Sequence, residues 1–252
     1  MSAEKDHSRL IRLFVPQEQP AAAQLCELSE RQAHYLRNVM RCEVGDRLRV
    51  FDGTSGEWLA ELKEVGKKRA LISFLEKIRG QVNSPDIHVL ASPVKKEAFD
   101  FMVEKASELG VKAFQPIACA RTVIQRVNED RLQALAVESA EQCERLDVMR
   151  ILSLKPLKDV LDSVGLERKI IFCIERAQAP MILPFLQGTE IKLPLGVLVG
   201  PEGGFTPEEA AMITAHPQAL PVSLGPRILR AETALVSALT CMQAVLGDWS
   251  AK

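Results

Sequence analysis

The chain has no apolar run approaching the roughly 20 residues that a membrane-spanning helix needs. Its first residues mix acids with bases before a brief apolar stretch from Leu10 to Val15. Neither a secretory leader nor a membrane anchor is expected, and the protein is read as cytoplasmic. Charge of one sign is also missing. With 32 Lys and Arg against 33 Asp and Glu, the formal net charge is −1, so no global polycation announces a nucleic-acid partner. The six cysteines form no C-x-x-C pair, and the four histidines lie far apart. A disulfide framework and a metal site of ordinary ligand spacing are therefore both unexpected. No Gly-Lys-Ser/Thr phosphate cradle, no G-x-G-x-x-G and no G-x-S-x-G occurs, which removes the common nucleotide-binding and nucleophile-elbow motifs. Low-complexity tracts are absent as well, and so are internal repeats beyond a pair of similar glycine-bearing turns late in the chain.

What remains is an ordinary globular composition, 47% hydrophobic and 26% charged over 252 residues, enough for one large or two modest domains. Residues 1–80 carry mostly strand and turn signals. Arg47 to Phe51, the turn Asp52-Gly53-Thr54-Ser55-Gly56 and the alternating stretch Trp58 to Glu64 predict a hairpin, and Ala70 to Leu75 a further strand. One helix interrupts them at about 30–38: Ser29-Glu30-Arg31-Gln32 has the form of a capping box, and Ala33, Leu36, Val39 and Met40 follow at helical spacing. Such a unit is able to close into a small barrel.

The polar stretch Gly80 to Pro85 marks the boundary, giving domains 1–80 and 81–252. Beyond it strands and helices alternate. Strands are expected at Ile87 to Ala91, Val111 to Cys119 and Lys169 to Glu175. Helices are expected at Lys96 to Leu109, from the cap Asn128 to about Glu144, near Met181 to Gln187, and at about 229–246 with a stop at Gly247. Alternation of this kind implies an α/β domain, a parallel sheet with helices on both faces.

The most informative stretch lies late in that domain. Leu195 to Val199 reads as a buried strand, Gly200-Pro201-Glu202-Gly203-Gly204 as a tight loop, and Thr206-Pro207-Glu208-Glu209 as a helix start with its own capping box. A second strand, turn and helix follows at Leu220 to Ala234, with Gly225-Pro226 in the turn. Ligands of open α/β sheets sit at strand carboxyl ends, so two such turns suggest one shared site. The blander reading is a pair of simple connections.

These residues resemble the paired signature of RsmE-type RNA methyltransferases in the SPOUT superfamily. Gly200-Pro201-Glu202-Gly203-Gly204-Phe205 is similar to one half of it. Leu224-Gly225-Pro226-Arg227-Ile228-Leu229-Arg230 with Glu232-Thr233-Ala234 is similar to the other. Further matches run along the chain: His34-Tyr35-Leu36-Arg37, Val39-Met40-Arg41, Gly45-Asp46 and Asp52-Gly53, then Lys105, Glu108 to Val111, Arg121, Glu138, Gln142 and Arg145. The family usually has Thr where Ala231 stands, and Ser-Gly where Cys143-Glu144 stand.

The resemblance implies a small N-terminal PUA-like β-barrel that binds RNA. It also implies a C-terminal SPOUT domain with a deep trefoil knot, and a homodimer whose active site forms at the interface. The implied activity is methylation of N3 of a uridine in small-subunit (16S) ribosomal RNA, in the free RNA or in the small ribosomal subunit, using S-adenosyl-L-methionine. Cofactor contacts would come from Leu198, Val199, Gly200, Pro201, Glu202, Gly203 and Gly204 on one turn. On the other they would come from Leu224, Gly225, Ile228, Leu229, Arg230 and Thr233. A side chain at Gly200 or Gly225 is expected to occupy space that the adenosine needs.

The reaction needs N3 placed in line with an already electrophilic methyl group, and the charge that spreads onto O2 and O4 as N3 loses its proton must be stabilised. A cationic donor aimed at those oxygens is typically worth about 2.7 to 4 kcal/mol, and Arg230 is the first candidate, an ion pair with Glu232 being the other reading. Glu232 would orient that arginine or accept the proton. Glu202 would face the sulfonium or serve the turn. For RNA, Arg9, Arg12, Arg37 and Arg41 form a phosphate-binding face or a merely solvated one, while Lys95, Lys96, Arg121 and Arg145 match family positions. Trp58 and Trp249 read as core or interface. Two other functions compete: a catalytically silent RNA-binding assembly factor, and a SPOUT enzyme acting on transfer RNA or on a ribose 2′-OH.

Overall fold

The computed structural model describes residues 7–16, 20–165, 167–174 and 179–250. They divide into two compact units, Met1–Asn83 with Ala140–Asp147, and Ser84–Ser139 with Val148–Lys252.

The first unit is built on β1 (Arg12–Phe14), β2 (Leu25–Leu28), β3 (Arg47–Phe51), β4 (Glu57–Val65) and β5 (Ala70–Arg79), with α1 (Glu30–His34) after β2. The sheet runs β1-β3-β4-β5-β2. β1 lies parallel to β3, and the other neighbours are antiparallel. Gln32 of α1 donates to the Phe14 carbonyl at 2.8 Å, linking the helix to the end of β1. The expected capping box is present: Ser29 accepts from the Gln32 amide, and the Gln32 side chain accepts from Ser29. The expected helix does not run on unchanged, because Tyr35–Val39 widens into a π-helical turn, in which the Met40 amide reaches the Tyr35 carbonyl at 3.0 Å. Leu36 stays buried while Tyr35, Val39 and Met40 face outward. In β4 the strict alternation expected from Trp58 to Glu64 is broken. Register shifts against β5 fall at Glu57/Trp58 and Leu59/Ala60, so Leu59 and Ala60 are both buried, as a bulge allows.

A buried ionic cluster sits in this unit. Glu57 is 1% exposed, and its carboxylate meets Arg12 Nε at 2.5 Å, Arg79 Nε at 2.9 Å and Arg49 Nη1 at 3.9 Å. Arg12 also donates to the carbonyls of Ala140 and Arg145, each at 2.6 Å, and stacks over the Phe51 ring at 3.8 Å. Burial lowers the Arg12 pKa, opposed chiefly by the hydrogen bond to Glu57. Arg49 holds Glu144 at 2.6 Å, and that hydrogen bond keeps the Glu144 carboxyl below its ordinary range. Glu144 has φ 61°, where most L side chains cost about 1 to 2 kcal/mol.

In the second unit, β6 (Ile87–Ala91), α2 (Lys96–Glu108) and β7 (Ala113–Ala118) come first. α3 (Glu129–Cys143) follows, and its residues from Ala140 onward group with the first unit. Next are the two-residue strands β8 (Arg150–Ile151) and β9 (Lys155–Pro156), then α4 (Leu157–Ser163), β10 (Lys169–Cys173), α5 (Ile182–Gly188), β11 (Leu195–Val199), α6 (Pro207–Ala215), β12 (Ala219–Val222) and α7 (Ala231–Leu246). The expected end of the β10 strand, Glu175, lies outside the described residues. The sheet runs β12-β10-β11-β6-β7-β8, with β9 on β7, and every pairing is parallel.

Both faces are covered, as the alternation of elements predicts. Val89, Ile171 and Val197 pack with residues of α2, α3, α5 and α7. Leu90, Ile170, Phe172 and Leu198 pack with α4 and Ile213 of α6. Period-2 alternation sends neighbours to opposite faces, and each fully buried branched side chain contributes roughly 1.5 to 3 kcal/mol. Asn128 accepts from the Arg131 amide at 3.0 Å, capping α3 as expected. No helix among the described residues is long and apolar enough to cross a membrane.

At the amino ends of these strands Asp86 binds Arg168 at 2.8 Å and Lys112 at 3.2 Å, with His88 Nε2 at 3.4 Å. Burial, then Arg168, pushes the His88 pKa from 6.5 down to about 4. The neutral imidazole is thus favoured by folding, and its contribution is full above 6.5 and lost as pH falls toward 4. It is worth up to about 3 kcal/mol. Urea denaturation at pH 7 and pH 4.5 should show His88→Gln losing less stability on acidification than the parent; equal losses would show that His88 does not titrate in this window.

Candidate active site

β10 lies between β11 and β12, so the chain leaving β11 and the chain leaving β12 emerge on either side of the β10 carboxyl end. Between them is a cavity of about 1200 Å3. Its floor is Phe172, Cys173 and Ile174, its walls are Val199 to Phe205 and Ser223 to Arg230, and Ala231 and Ala234 of α7 close it. The two turns singled out in the sequence thus share one site.

Local chemistry shapes each wall. Thr206 and Glu209 form the expected capping box with Pro207 in the first helical turn, which fixes where the first loop ends. Within the loop the Gly204 amide bonds the Pro201 carbonyl at 2.8 Å, and the Phe205 ring meets Phe172 edge-on at 5.4 Å. In the second turn the Gly225 amide donates to Ser223 Oγ at 3.2 Å. Among the described residues the amides of Ile228 and Leu229 bond to no protein acceptor, which leaves the wall with donors to offer a ligand.

The glycines act for reasons that differ from the expectation. A Cβ at Gly200 would lie 2.8 Å from the Phe205 ring, so the space beside Gly200 is filled by the protein's own side chain and not held open for a ligand. Gly225 has φ +114°, with only Met181 Cε at 4.0 Å from a built Cβ; backbone conformation is what requires glycine there. Burial pushes the Cys173 thiol up to about 12, and burial followed by Glu209 does the same for Cys119. Neither supplies a thiolate nucleophile at neutral pH.

Of the expected cofactor residues, Val199, Gly200, Pro201, Glu202, Gly203, Gly204, Leu224, Gly225, Ile228, Leu229 and Arg230 line the cavity. Leu198 does not: it is fully buried among residues of α4 and α6, one strand position out of phase with Val199. Thr233 and Glu232 also stand outside the lining. Ala231 and Ala234, three apart, take the cavity-facing side of α7, which turns the two residues between them elsewhere. Arg230 is exposed at the N-cap position of α7, and among the described residues it makes no ion pair with Glu232. The sequence reading missed Arg227, Met181, Phe172, Cys173 and Phe205 as cavity residues; Arg227 and Phe205 were the most accessible of these, since each sits inside one of the two motifs.

The expected RNA-binding residues separate by burial. Arg12 is withdrawn, because its side chain is 3% exposed and engaged by Glu57 and backbone carbonyls. Arg145, 7% exposed and paired with Asp147 at 3.1 Å, is withdrawn too. Arg9, Arg37 and Arg41 are exposed on the first unit, and Lys95 and Lys96 on the second, at the start of α2. Arg121 lies at the cavity, donating to the Gly203 carbonyl at 2.7 Å. Trp58 packs edge-on against Phe74, whereas Trp249 is exposed. The described residues hold no cluster of His, Cys, Asp and Glu able to bind a metal.

A parallel α/β sheet with two glycine-bearing turns meeting at its carboxyl edge defines a small-molecule-binding domain of the open-sheet class. Residues 82–243 match an RNA methyltransferase domain family, and residues 28–75 an RNA methyltransferase PUA domain family. A ribosomal RNA small subunit methyltransferase E of Synechocystis is 32% identical over 249 residues, covering 96% of this chain and 81% of that protein. One of Rickettsia conorii is 28% identical over 211 residues, covering 84% and 86%. Among solved structures, the Neisseria gonorrhoeae ribosomal RNA small subunit methyltransferase E bound to S-adenosylmethionine superposes with a TM-score of 0.83 at 29% identity, covering 96% of this chain and 100% of that one. The chain belongs to the ribosomal RNA small subunit methyltransferase E family.

Two of the cavity glycines should separate on substitution. Gly200→Ala, meeting the Phe205 ring, is expected to cost about 1 to 3 kcal/mol. Gly203→Ala, whose Cβ would meet only the Arg121 stem at 3.4 Å, is expected to change stability by less than about 0.5 kcal/mol. Equal effects in urea denaturation would remove the Phe205 explanation.

Proposed function

We propose that this chain methylates N3 of a uridine in small-subunit (16S) ribosomal RNA with S-adenosylmethionine as donor, in the cytoplasm and as a homodimer. The observation that carries the reading is the single cavity whose walls are the two family turns, with Arg230 on its rim. The residues present fit such a donor: among the described residues the amides of Ile228 and Leu229 have no protein acceptor, and Glu202 is the acidic side chain in the lining, a suitable neighbour for a sulfonium. S-Adenosylmethionine supplies an electrophilic methyl group when bound. Arg230 supplies positive charge for the uracil O2 or O4 as N3 gives up its proton. Cys173 stays protonated at the floor, which agrees with direct transfer to the base.

In the first unit, Arg37 lies within the π-helical turn and Arg41 just beyond it, beside the outward-facing Tyr35, Val39 and Met40, and we assign this face to RNA. Met181, Leu183 and Ile228 are 48%, 42% and 58% exposed, and they supply an apolar face for a second copy to cover. A knotted passage of the two turns belongs to this reading through the family alone. A silent assembly factor would not need a cavity of this build, so binding of S-adenosylmethionine by calorimetry separates the two.

Incubation with small-subunit RNA and labelled S-adenosylmethionine, followed by mass spectrometric mapping, should place the methyl on a uracil base; label on a ribose or on transfer RNA alone would refute the assignment. Arg230→Ala should abolish turnover while cofactor binding survives, and unchanged turnover would remove Arg230 from the mechanism. Replacing Arg37 and Arg41 with Ala should weaken RNA binding and lower the log–log salt slope by roughly 0.7 to 0.9 per lost phosphate contact. An unaltered slope would return them to the solvated surface.

A further inference from the structure

We propose that Arg121 and Glu209 are positioning residues that clasp the Gly200–Phe205 loop, and that through this loop they set the affinity for S-adenosylmethionine. The proposal rests on the methyltransferase reading and extends it to residues outside the two signature turns.

The loop hangs between the end of β11 and the start of α6, and one of its faces lines the cavity. Its tethers come from the turn that follows β7. Arg121 Nη1 donates to the carbonyls of Gly203 at 2.7 Å and Phe205 at 3.4 Å, and its aliphatic stem lies against the open side of Gly203, with Cδ 3.4 Å and Cβ 3.5 Å from a built Cβ. Glu209 uses both oxygens: Oε2 accepts from the Thr206 amide at 2.9 Å, and Oε1 from the Ala120 amide at 2.7 Å. One carboxylate therefore caps α6 and holds the β7 turn against it.

The turn that carries Arg121 is itself fixed. Thr122 Oγ1 accepts from the Cys119 amide at 2.8 Å and shares a hydrogen bond of 2.6 Å with Ser92 Oγ. The Ser92 amide in turn donates to the Val199 carbonyl at 3.2 Å, at the point where β11 passes into the loop. A closed circuit of hydrogen bonds thus joins the carboxyl ends of β6, β7 and β11 to the N-terminus of α6. A flexible loop loses entropy when it closes on a ligand, and a loop held beforehand loses less.

Arg121 was expected to bind RNA, and the geometry gives it a different task. Its carbonyl partners both belong to the loop, so removing it frees the loop from the turn after β7. Calorimetric titration of the full-length chain with S-adenosylmethionine tests this, together with steady-state kinetics and RNA binding. Arg121→Ala should weaken cofactor binding about tenfold, the size of one lost hydrogen bond from a charged donor. KM for S-adenosylmethionine should rise in step, kcat at saturating cofactor should change far less, and RNA affinity should be unaltered. Arg121→Lys, which keeps a cationic donor, should recover most of the affinity, and Glu209→Gln, left with one acceptor oxygen for two amides, should weaken binding a few-fold. Cofactor affinity in Arg121→Ala equal to that of the parent would overturn the clasp, as would lost RNA affinity with cofactor binding intact. A parent chain that does not bind S-adenosylmethionine would overturn the methyltransferase reading and the clasp with it.

Discussion

The site depends on the parallel pairing of β10 with both β11 and β12. These three strands end at the same edge, and the order β12-β10-β11 puts two turns some 25 residues apart in sequence on either side of one strand end. Neither turn encloses anything alone. Set on both sides of Phe172, Cys173 and Ile174, they make the walls of a cavity of about 1200 Å3. Parallel strands need crossover connections, and α5 and α6 supply those between β10 and β11 and between β11 and β12. Covering of both faces by helices follows from the same pairing, because a parallel sheet buried on both sides needs apolar side chains in both directions.

That constraint also orders the smaller interactions. The Thr206–Glu209 capping box would stabilise any helix start by about 1 kcal/mol, yet here the second Glu209 oxygen accepts from the turn after β7. Phe205 closes on Phe172 because Gly200 leaves it room. The Arg230 side chain stands at the start of α7 with no partner among the described residues, while Ala231 and Ala234 keep the helix face toward the cavity small.

Much of this was legible in the sequence because it is local. Both capping boxes, the Asn128 cap, the Ile87–Ala91 strand and the alternation of strands and helices are written within a few neighbouring residues. Two glycine turns at the carboxyl ends of successive strands pointed to one site, and ordered short motifs carried the family likeness. What was not legible depends on distant partners. β8 and β9 have two residues each, too few for any periodic pattern. Arg12 reads as a surface charge until Glu57 and the carbonyls of Ala140 and Arg145 are seen around it. Glu57 itself looks like the polar side of an alternating strand, and a register shift is what buries it. Leu198 and Val199 are adjacent in a signature stretch, and only the sheet's pleat decides which of them faces the cavity.

Two turns far apart in sequence are proposed to form one cradle for S-adenosylmethionine. Hydrogen–deuterium exchange of the full-length chain with and without S-adenosylmethionine tests it most directly. Protection is predicted to rise together at residues 200–205 and 224–230, and little elsewhere. Protection confined to one of the two turns, or found only in residues 7–83, would contradict it.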